Sequence, residues 1–335
     1  MQGAAEPAVI GVDVGGTKIA AGRVVGGQVA EIAQRPTDLS SAVALLDQIE
    51  SAIRETAENT GPVDAVGIGV PSMIDFSSGT VVESVNIPLE GVPLRDELCD
   101  RLSLRAYVDN DANCAALAEG QFTEDAPAQS LLMLTLGTGV GGGVIMEGRI
   151  FRGTTGLGAE LGHMVIEADG PECPGKCPNR GCLEAYCSGT ALEREATVFA
   201  TANPESPLGR LAAEGEGRVK GRQVVEAARG GDTDARELLD ALGRRLGVGV
   251  ANYVNIFQPE YVVIGGGLSA AADLFLPAAE AELRSRALPA PLAYATLTVA
   301  KAGNDAGVIG AGLLAAQELG LSGDTAAETA REGVR

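Results

Sequence analysis

Histidine is nearly absent from this 335-residue sequence: His163 is the only one. Lysine is scarce as well, with Lys18, Lys176, Lys220 and Lys301 making up the whole complement. The formal net charge is −20 and no basic stripe is present. That excludes the counterion-displacing surface a nucleic-acid partner requires. The acid excess reads instead as a solvated, self-repelling surface. An anionic ligand would have to be held mostly by backbone N–H groups, helix N-termini and a metal ion. No apolar run approaches the roughly 18 residues of a membrane helix, so no membrane partner is expected. The opening MQGAAEPAVIGVDVGG lacks a basic n-region, so no secretory signal is expected and the cytoplasm is the expected compartment. In a reducing compartment, clustered cysteines read as metal ligands or redox groups before disulfides. No C-x-x-C is present, which weakens the redox reading.

What is there begins with length. A chain of 335 residues with 45 % apolar content is better divided into two lobes around a cleft than built on one core. Two stretches are alike: VIGVDVGGTKIAAGRVVGGQV from Val9 and LLMLTLGTGVGGGVIMEGRI from Leu131. Each reads as strand, Gly/Thr turn, strand and a further glycine turn. They are expected to open two related lobes. Further strands are expected in VDAVGIGVPSMID and LRAYVDNDAN, and helices over Ser41–Ala57, Ala112–Gly120 and Arg236 to about Ile256. An irregular Pro/Gly/Glu-rich connection is expected at TANPESPLGRLAAEGEG, and PEYVVIGGGLSAAADLF reads as strand, glycine turn and helix.

The glycine turns exclude two nucleotide folds. GTGVGG, Gly137–Gly142, fits the dinucleotide pattern G-x-G-x-x-G, but a strand follows where a helix is required. GVDVGGTK ends in Gly-Thr-Lys where a P-loop needs Gly-Lys-Thr/Ser. A pair of hairpin turns remains, with glycines that admit a ligand to the backbone and the hydroxyls of Thr17 and Thr138. Such turns suit a polyphosphate: Gly15, Gly16, Thr17 and Lys18 in one, Gly137, Thr138 and Gly139 in the other. Asp13, just before the first turn, is placed to hold Mg²⁺ through water. Gly265, Gly266 and Gly267 form a third turn at an expected helix N-terminus, suited to the adenosine end of a nucleotide.

In order along the chain, DVGGTK, NDAN at Asn110–Asn113, LGTGVGGG, ELGH, a cysteine cluster with GCLEAYCSG, and VVIGGGLS resemble the ROK family (repressor, open reading frame, kinase) from about Val9 to Leu314. The pairing of ELGH with GCLE is the most specific part. The resemblance implies an α/β, two-lobed actin/hexokinase-like (ribonuclease H-like) fold of duplicated domains with an interlobe cleft. Residues 1–118, completed by a helix at 305–320, would form the small lobe, 119–304 the large lobe and 321–335 a loose tail. It implies an ATP-dependent phosphotransferase acting on the 6-hydroxyl of glucose, giving glucose 6-phosphate and ADP, with homodimers or homotetramers expected. N-acetylmannosamine, N-acetylglucosamine, fructose or allose are alternative acceptors, and polyphosphate an alternative donor. The family also holds sugar-responsive repressors. Those carry an N-terminal helix-turn-helix module, for which no room is expected before a strand starting at about residue 8. A non-catalytic sugar binder is disfavoured by Asp13, Asp111 and both phosphate turns.

His163, Cys173, Cys177 and Cys182 then give one imidazole and three thiolates, the donor set of a closed structural zinc site. Pro, Gly, Lys and Asn between the cysteines leave no apolar periodicity that would bury them instead. Family members usually have one residue between the first two cysteines, whereas PGK separates Cys173 from Cys177 here. Cys99, Cys114 and Cys187 read as core residues. With the only imidazole on metal, a carboxylate must serve as general base. Asp111 follows a strand, precedes a helix and matches the family's base, although helix capping is the commoner use of such an Asp. The resemblance further implies that Asn110, Glu160, His163 and Glu184 contact the sugar. Ser72 is expected among the substrate-binding residues, standing where the family commonly has glycine at a sugar-contacting turn, and NIPLEGVPL lacks the aromatic often found there.

Overall fold

The apolar runs around the first glycine turn form β1 (Val9–Val14) and β2 (Lys18–Val25) of the computed structural model, which describes residues 7–123 and 126–332. β3 (Gln28–Pro36), α1 (Ala42–Thr60) and β4 (Ala65–Val70) follow, then the hairpin of β5 (Ser72–Asp75) and β6 (Thr80–Ser84). Next come α2 (Leu94–Leu102), β7 (Arg105–Asn110) and α3 (Asp111–Gln121). The sheet order is β3-β2-β1-β4-β7, with β1, β4 and β7 parallel and the β1–β2 and β2–β3 pairs antiparallel.

The second hairpin is β8 (Ser130–Leu136) and β9 (Val140–Met146), followed by β10 (Arg149–Ile150). Helices α4 (Glu184–Cys187), α5 (Gly189–Ala202), α6 (Pro207–Glu214), α7 (Gly221–Arg229) and α8 (Thr233–Phe257) lead to β11 (Tyr261–Gly265). α9 (Ala272–Arg286), α10 (Pro289–Leu292), β12 (Thr296–Val299) and α11 (Ala306–Glu332) complete the chain. The second sheet runs β10-β9-β8-β11-β12. Counted in its own strands this is again third, second, first, fourth, fifth, so the duplication expected from the two hairpins extends to whole sheets.

The chain divides into two compact units. One holds 1–129, Gly143–Ala159 and Lys301–Arg335, the other Ser130–Gly142 and Glu160–Ala300. The first unit therefore ends later than the expected boundary at 118 and regains 143–159 as well as the C-terminal helix. Period-2 alternation sorts β1: Ile10, Val12 and Val14 join α1 and α2 in one core through Leu45, Ile49, Leu94 and Leu98. Val9 on the opposite face packs with Val308 and Ala315 of α11. Each such fully buried Ile or Leu contributes about 1.5–3 kcal/mol. The glycines on the α11 face are there for contact. A Cβ on Gly11 would lie 1.8 Å from Val308 O, and one on Gly67 would lie 1.7 Å from Ala311 O. Asp13 is next on that face, so the first turn of α11 is brought against its carboxylate.

Three local expectations differ. The 201–217 connection contains α6, whose Ser206 cap accepts from Gly209 N at 3.0 Å and whose Pro207 occupies the first helical position. After the third glycine turn comes a 3-10 turn over Gly267–Ala271, and α9 begins only at Ala272. The segment expected to be a loose tail continues α11 through Glu332, and 333–335 lie outside the described residues. Cys114 and Cys187 are fully buried as expected, whereas Cys99 is half-buried at the core's edge. Among the described residues no helix is long and apolar enough to cross a membrane.

Candidate active site

In the first unit, Asp13 is the penultimate residue of β1, paired with Ala20 of β2 and Gly69 of β4. A Cβ on Gly307 would stand 2.5 Å from its Cγ, so α11 leaves no room for a larger residue there. Burial first, then the charge of Asp111, pushes its pKa up to about 6, while Lys18 pulls the other way. In the turn beyond, Gly15 N–H donates to Lys18 O at 2.9 Å and Thr37 Oγ1 donates to Gly15 O at 2.7 Å. Thr37 N–H donates to Thr17 O at 3.1 Å, so the turn's carbonyls are tied back, while the side chains of Thr17 and Lys18 are exposed. Gly16 has space around it: a Cβ at that position would come no nearer than 3.8 Å to Asn86 O.

Asp111 opens α3, but the cap is Asn110, whose Oδ1 accepts from Ala112 N at 2.8 Å and Asn113 N at 3.3 Å. Asp111 Oδ1 shares the Ala112 N–H at 2.9 Å. Burial raises the Asp111 pKa, with backbone amides opposing. The Asn110 amide donates to Ser72 O at 3.3 Å, leaving one N–H for a ligand. Ser72 itself is buried, and its hydroxyl donates to Ser84 Oγ at 2.8 Å, which donates on to Ile87 O. The residue missed from sequence is Asp109. It is 3 % exposed and bound by Arg152 Nε at 2.6 Å and by the Asn113 amide at 2.8 Å. No local pattern points to Arg152, which lies 43 residues along the chain.

In the second unit, Gly137 N–H donates to Gly139 O at 2.9 Å, closing the second turn. Gly189 N–H and Thr190 Oγ1, at the start of α5, donate to Gly137 O and Thr138 O at 2.7 and 2.8 Å. Glu184 presses on the same turn. Its Oε2 accepts from Val140 N at 2.7 Å, and a Cβ on Gly139 would lie 2.4 Å from that oxygen. Gly139 is thus required by Glu184, whatever approaches the turn from outside. In the third turn a Cβ on Gly265 would meet Met133 Cε at 2.6 Å. Gly266 has φ +81° and a Cβ there would lie 2.5 Å from Leu136 O, while Gly267 faces open space.

The metal-type donors do converge. The ligand atoms of His163, Cys173, Cys177 and Cys182 all lie within 4.8 Å of one another. Cys173 Sγ is 3.4 Å from His163 Nδ1, and Cys177 Sγ is 3.9 Å from Cys182 Sγ. The longer spacing is absorbed by a turn at Gly175, φ +73°, so Cys173 joins the group. Burial and the neighbouring thiols push the Cys173 thiol up, and burial raises Cys182 as well. Three thiols and one imidazole at this separation fit a tetrahedral zinc-type cation. Tyr253 Oη donates to Leu161 O, and Tyr186 Oη donates to Glu167 Oε2, fastening the first part of the loop to α8 and α4. His163 Nε2 faces away from the thiols, 4.0 Å from Glu160 Oε2. Glu184 Oε1 lies 3.9 Å from Cys173 Sγ, so one carboxylate joins the cysteine group to the second turn.

Two sheets of one strand order, each opened by a hairpin with a glycine turn, define the actin-like sugar-kinase fold. The chain belongs to the ROK family, which it matches over residues 9–318. It is 36 % identical over 315 residues to a glucokinase of Halalkalibacterium halodurans, covering 92 % of this chain and 95 % of that one. The ROK hexokinase structure from Thermus thermophilus shares 33 % identity at a TM-score of 0.79, covering 93 % of this chain and 99 % of that one. The Streptomyces griseus ROK glucokinase, solved with glucose and AMPPNP, shares 36 % identity at a TM-score of 0.75, covering 92 % and 99 %.

Proposed function

We propose that this chain is a cytoplasmic ATP-dependent glucokinase. The observation that carries the reading is the station of Asp111. Asn110 relieves it of most of the capping duty, and burial raises its affinity for a proton. Asp111 accepts the proton of the sugar's 6-hydroxyl as that oxygen attacks the γ-phosphorus; the bond to the β-phosphate oxygen breaks and ADP leaves. Asp13 would hold Mg²⁺, which would offset the charge of the phosphates, and the amides and hydroxyls of Gly16, Thr17 and Thr138 receive phosphate oxygens. Lys18 adds a mobile positive charge, and Gly267 provides the open approach for adenosine. Asn110, Glu160, His163 and Glu184 orient the hexose by pairing with its hydroxyls. His163, Cys173, Cys177 and Cys182 would hold zinc, which supplies rigidity and a fixed His163 tautomer. The likeness to glucokinases at 36 % identity supports glucose over other hexoses.

Asp111→Asn tests this reading. Turnover should fall roughly 10²-fold or more, while glucose affinity by calorimetry stays near wild type. ADP release across a hexose panel, with ATP and polyphosphate as donors, checks acceptor and donor together. Near-wild-type turnover in the variant would remove Asp111 from the mechanism, and a wild type faster on another hexose would replace glucose.

A further inference from the structure

Asp109 carries a carboxylate two residues before Asp111 and is 3 % exposed. A buried carboxylate persists only where it is paired and hydrogen-bonded. Its Oδ1 accepts from Asn110 N–H and from the Asn113 amide, both at 2.8 Å, and its Oδ2 accepts from Arg152 Nε at 2.6 Å. Arg152 continues to Glu318 of α11 at 3.1 Å and lies 3.6 Å from the centroid of the Phe76 ring. Phe76 N–H in turn donates to Thr155 O at 3.0 Å, fastening the chain that carries Arg152 to the β5–β6 hairpin. One planar guanidinium thus bonds two carboxylates and stacks on a ring, a combination no ammonium reproduces.

The orientation of Asn113 shows which way this set acts. Its Oδ1 is buried with no hydrogen-bond partner among the described residues. Reversing the amide would turn that oxygen toward Asp109, so the carboxylate dictates the orientation. Asp109 therefore holds the N–H of the cap residue Asn110 and a side chain of the first turn of α3, the turn that begins with Asp111.

We propose that Arg152, acting through Asp109, is a positioning residue for Asp111. The inference rests on the kinase reading, in which Asp111 is the base. An ion pair that served only the fold would show itself in stability. A positioning pair shows itself in kcat, because small displacements of a base cost much rate without disturbing substrate binding.

The test compares Arg152→Lys and Glu318→Gln with wild type. Arg152→Lys keeps the charge beside Asp109 but loses the fork and the stacking; Glu318→Gln is the milder change and keeps the Arg152–Asp109 pair. For Arg152→Lys, kcat should fall about 10- to 100-fold with glucose KM within about threefold of wild type. Glu318→Gln should lower kcat by a smaller factor at unchanged Tm. The folded fraction, from thermal melts and calorimetric glucose stoichiometry, normalises every rate. If Arg152→Lys has wild-type kcat per folded molecule, or loses rate only in proportion to folded fraction, the inference is overturned while the kinase reading stands. A wild type that phosphorylates no hexose overturns both.

Discussion

The fold disfavours the ionised form of Asp13. Burial and the Asp111 charge raise its pKa to about 6, with Lys18 only partly compensating. An unfolded Asp titrates near 4, so the folded state binds the proton more tightly than the unfolded state. The ionised form therefore costs stability: nothing below about pH 4, progressively more as pH rises through 6, and the full amount above it. Asp13→Asn in magnesium-free buffer should be more stable than wild type at pH 7.5 by on the order of 1 to 3 kcal/mol. The difference should vanish near pH 4. Urea denaturation at both pH values measures it, and a destabilised variant at pH 7.5 would show that Asp13 serves the fold. The sequence places Asp13 before a glycine turn, but the burial comes from α11, whose Gly307 lies against it. No reading confined to the hairpin contains that helix.

At the scale of elements, the loop between His163 and Cys182 was legible because its residue types are rare. Four metal-type donors in a stretch without apolar periodicity leave few alternatives, and the longer Cys173–Cys177 spacing costs only a turn at Gly175. What pattern could not reveal is the contact Glu184 makes with the second turn. The partner Val140 is 44 residues away, and a glycine turn gives no sign of the carboxylate pressing on it. α6 is hidden for a different reason: the Gly and Glu around it mask the Ser206 cap and Pro207 start, which are ordinary helix signals. Since Glu184 Oε1 lies 3.9 Å from Cys173 Sγ while Oε2 binds the second turn, metal loss should reach both substrates. Purified wild type should contain one zinc per chain. Cys182→Ser should lose it and raise the KM of glucose and of ATP together, because binding to such a donor set carries an apparent free energy of order 10 kcal/mol, roughly enough to order a loop without its own core. Cys187→Ser, whose thiol is buried against Leu242 O at 3.7 Å, should keep metal and both KM values. Plasma mass spectrometry with steady-state kinetics decides this, and a fully active metal-free wild type would refute it.

For the whole molecule, half of the duplication could be read directly. The two hairpins share a pattern of strand, glycine turn and strand, but the identical order of the remaining strands depends on pairings with β4, β7, β11 and β12 that periodicity does not specify. The division into units was blurred for a related reason: the chain changes unit inside β9, where the sequence remains an unbroken strand. Net charge, by contrast, is fully legible, and it bears on the donor. A chain of −20 repels an anionic nucleotide at long range, and one exposed lysine at the first turn, Lys18, cannot offset that beyond contact distance. The Debye length shrinks from about 30 Å at 0.01 M to about 8 Å at 0.15 M ionic strength, so salt should remove the repulsion while leaving contact interactions largely in place. We therefore expect kcat/KM for ATP to rise about two- to fivefold over that range at fixed free Mg²⁺, since association of like charges speeds up when screened. Glucose is neutral, and its kcat/KM at saturating ATP should change little. Initial rates across a sodium chloride series give both values, and a fall in the ATP value with salt would mean that local positive potential at the donor turns outweighs the charge of the molecule.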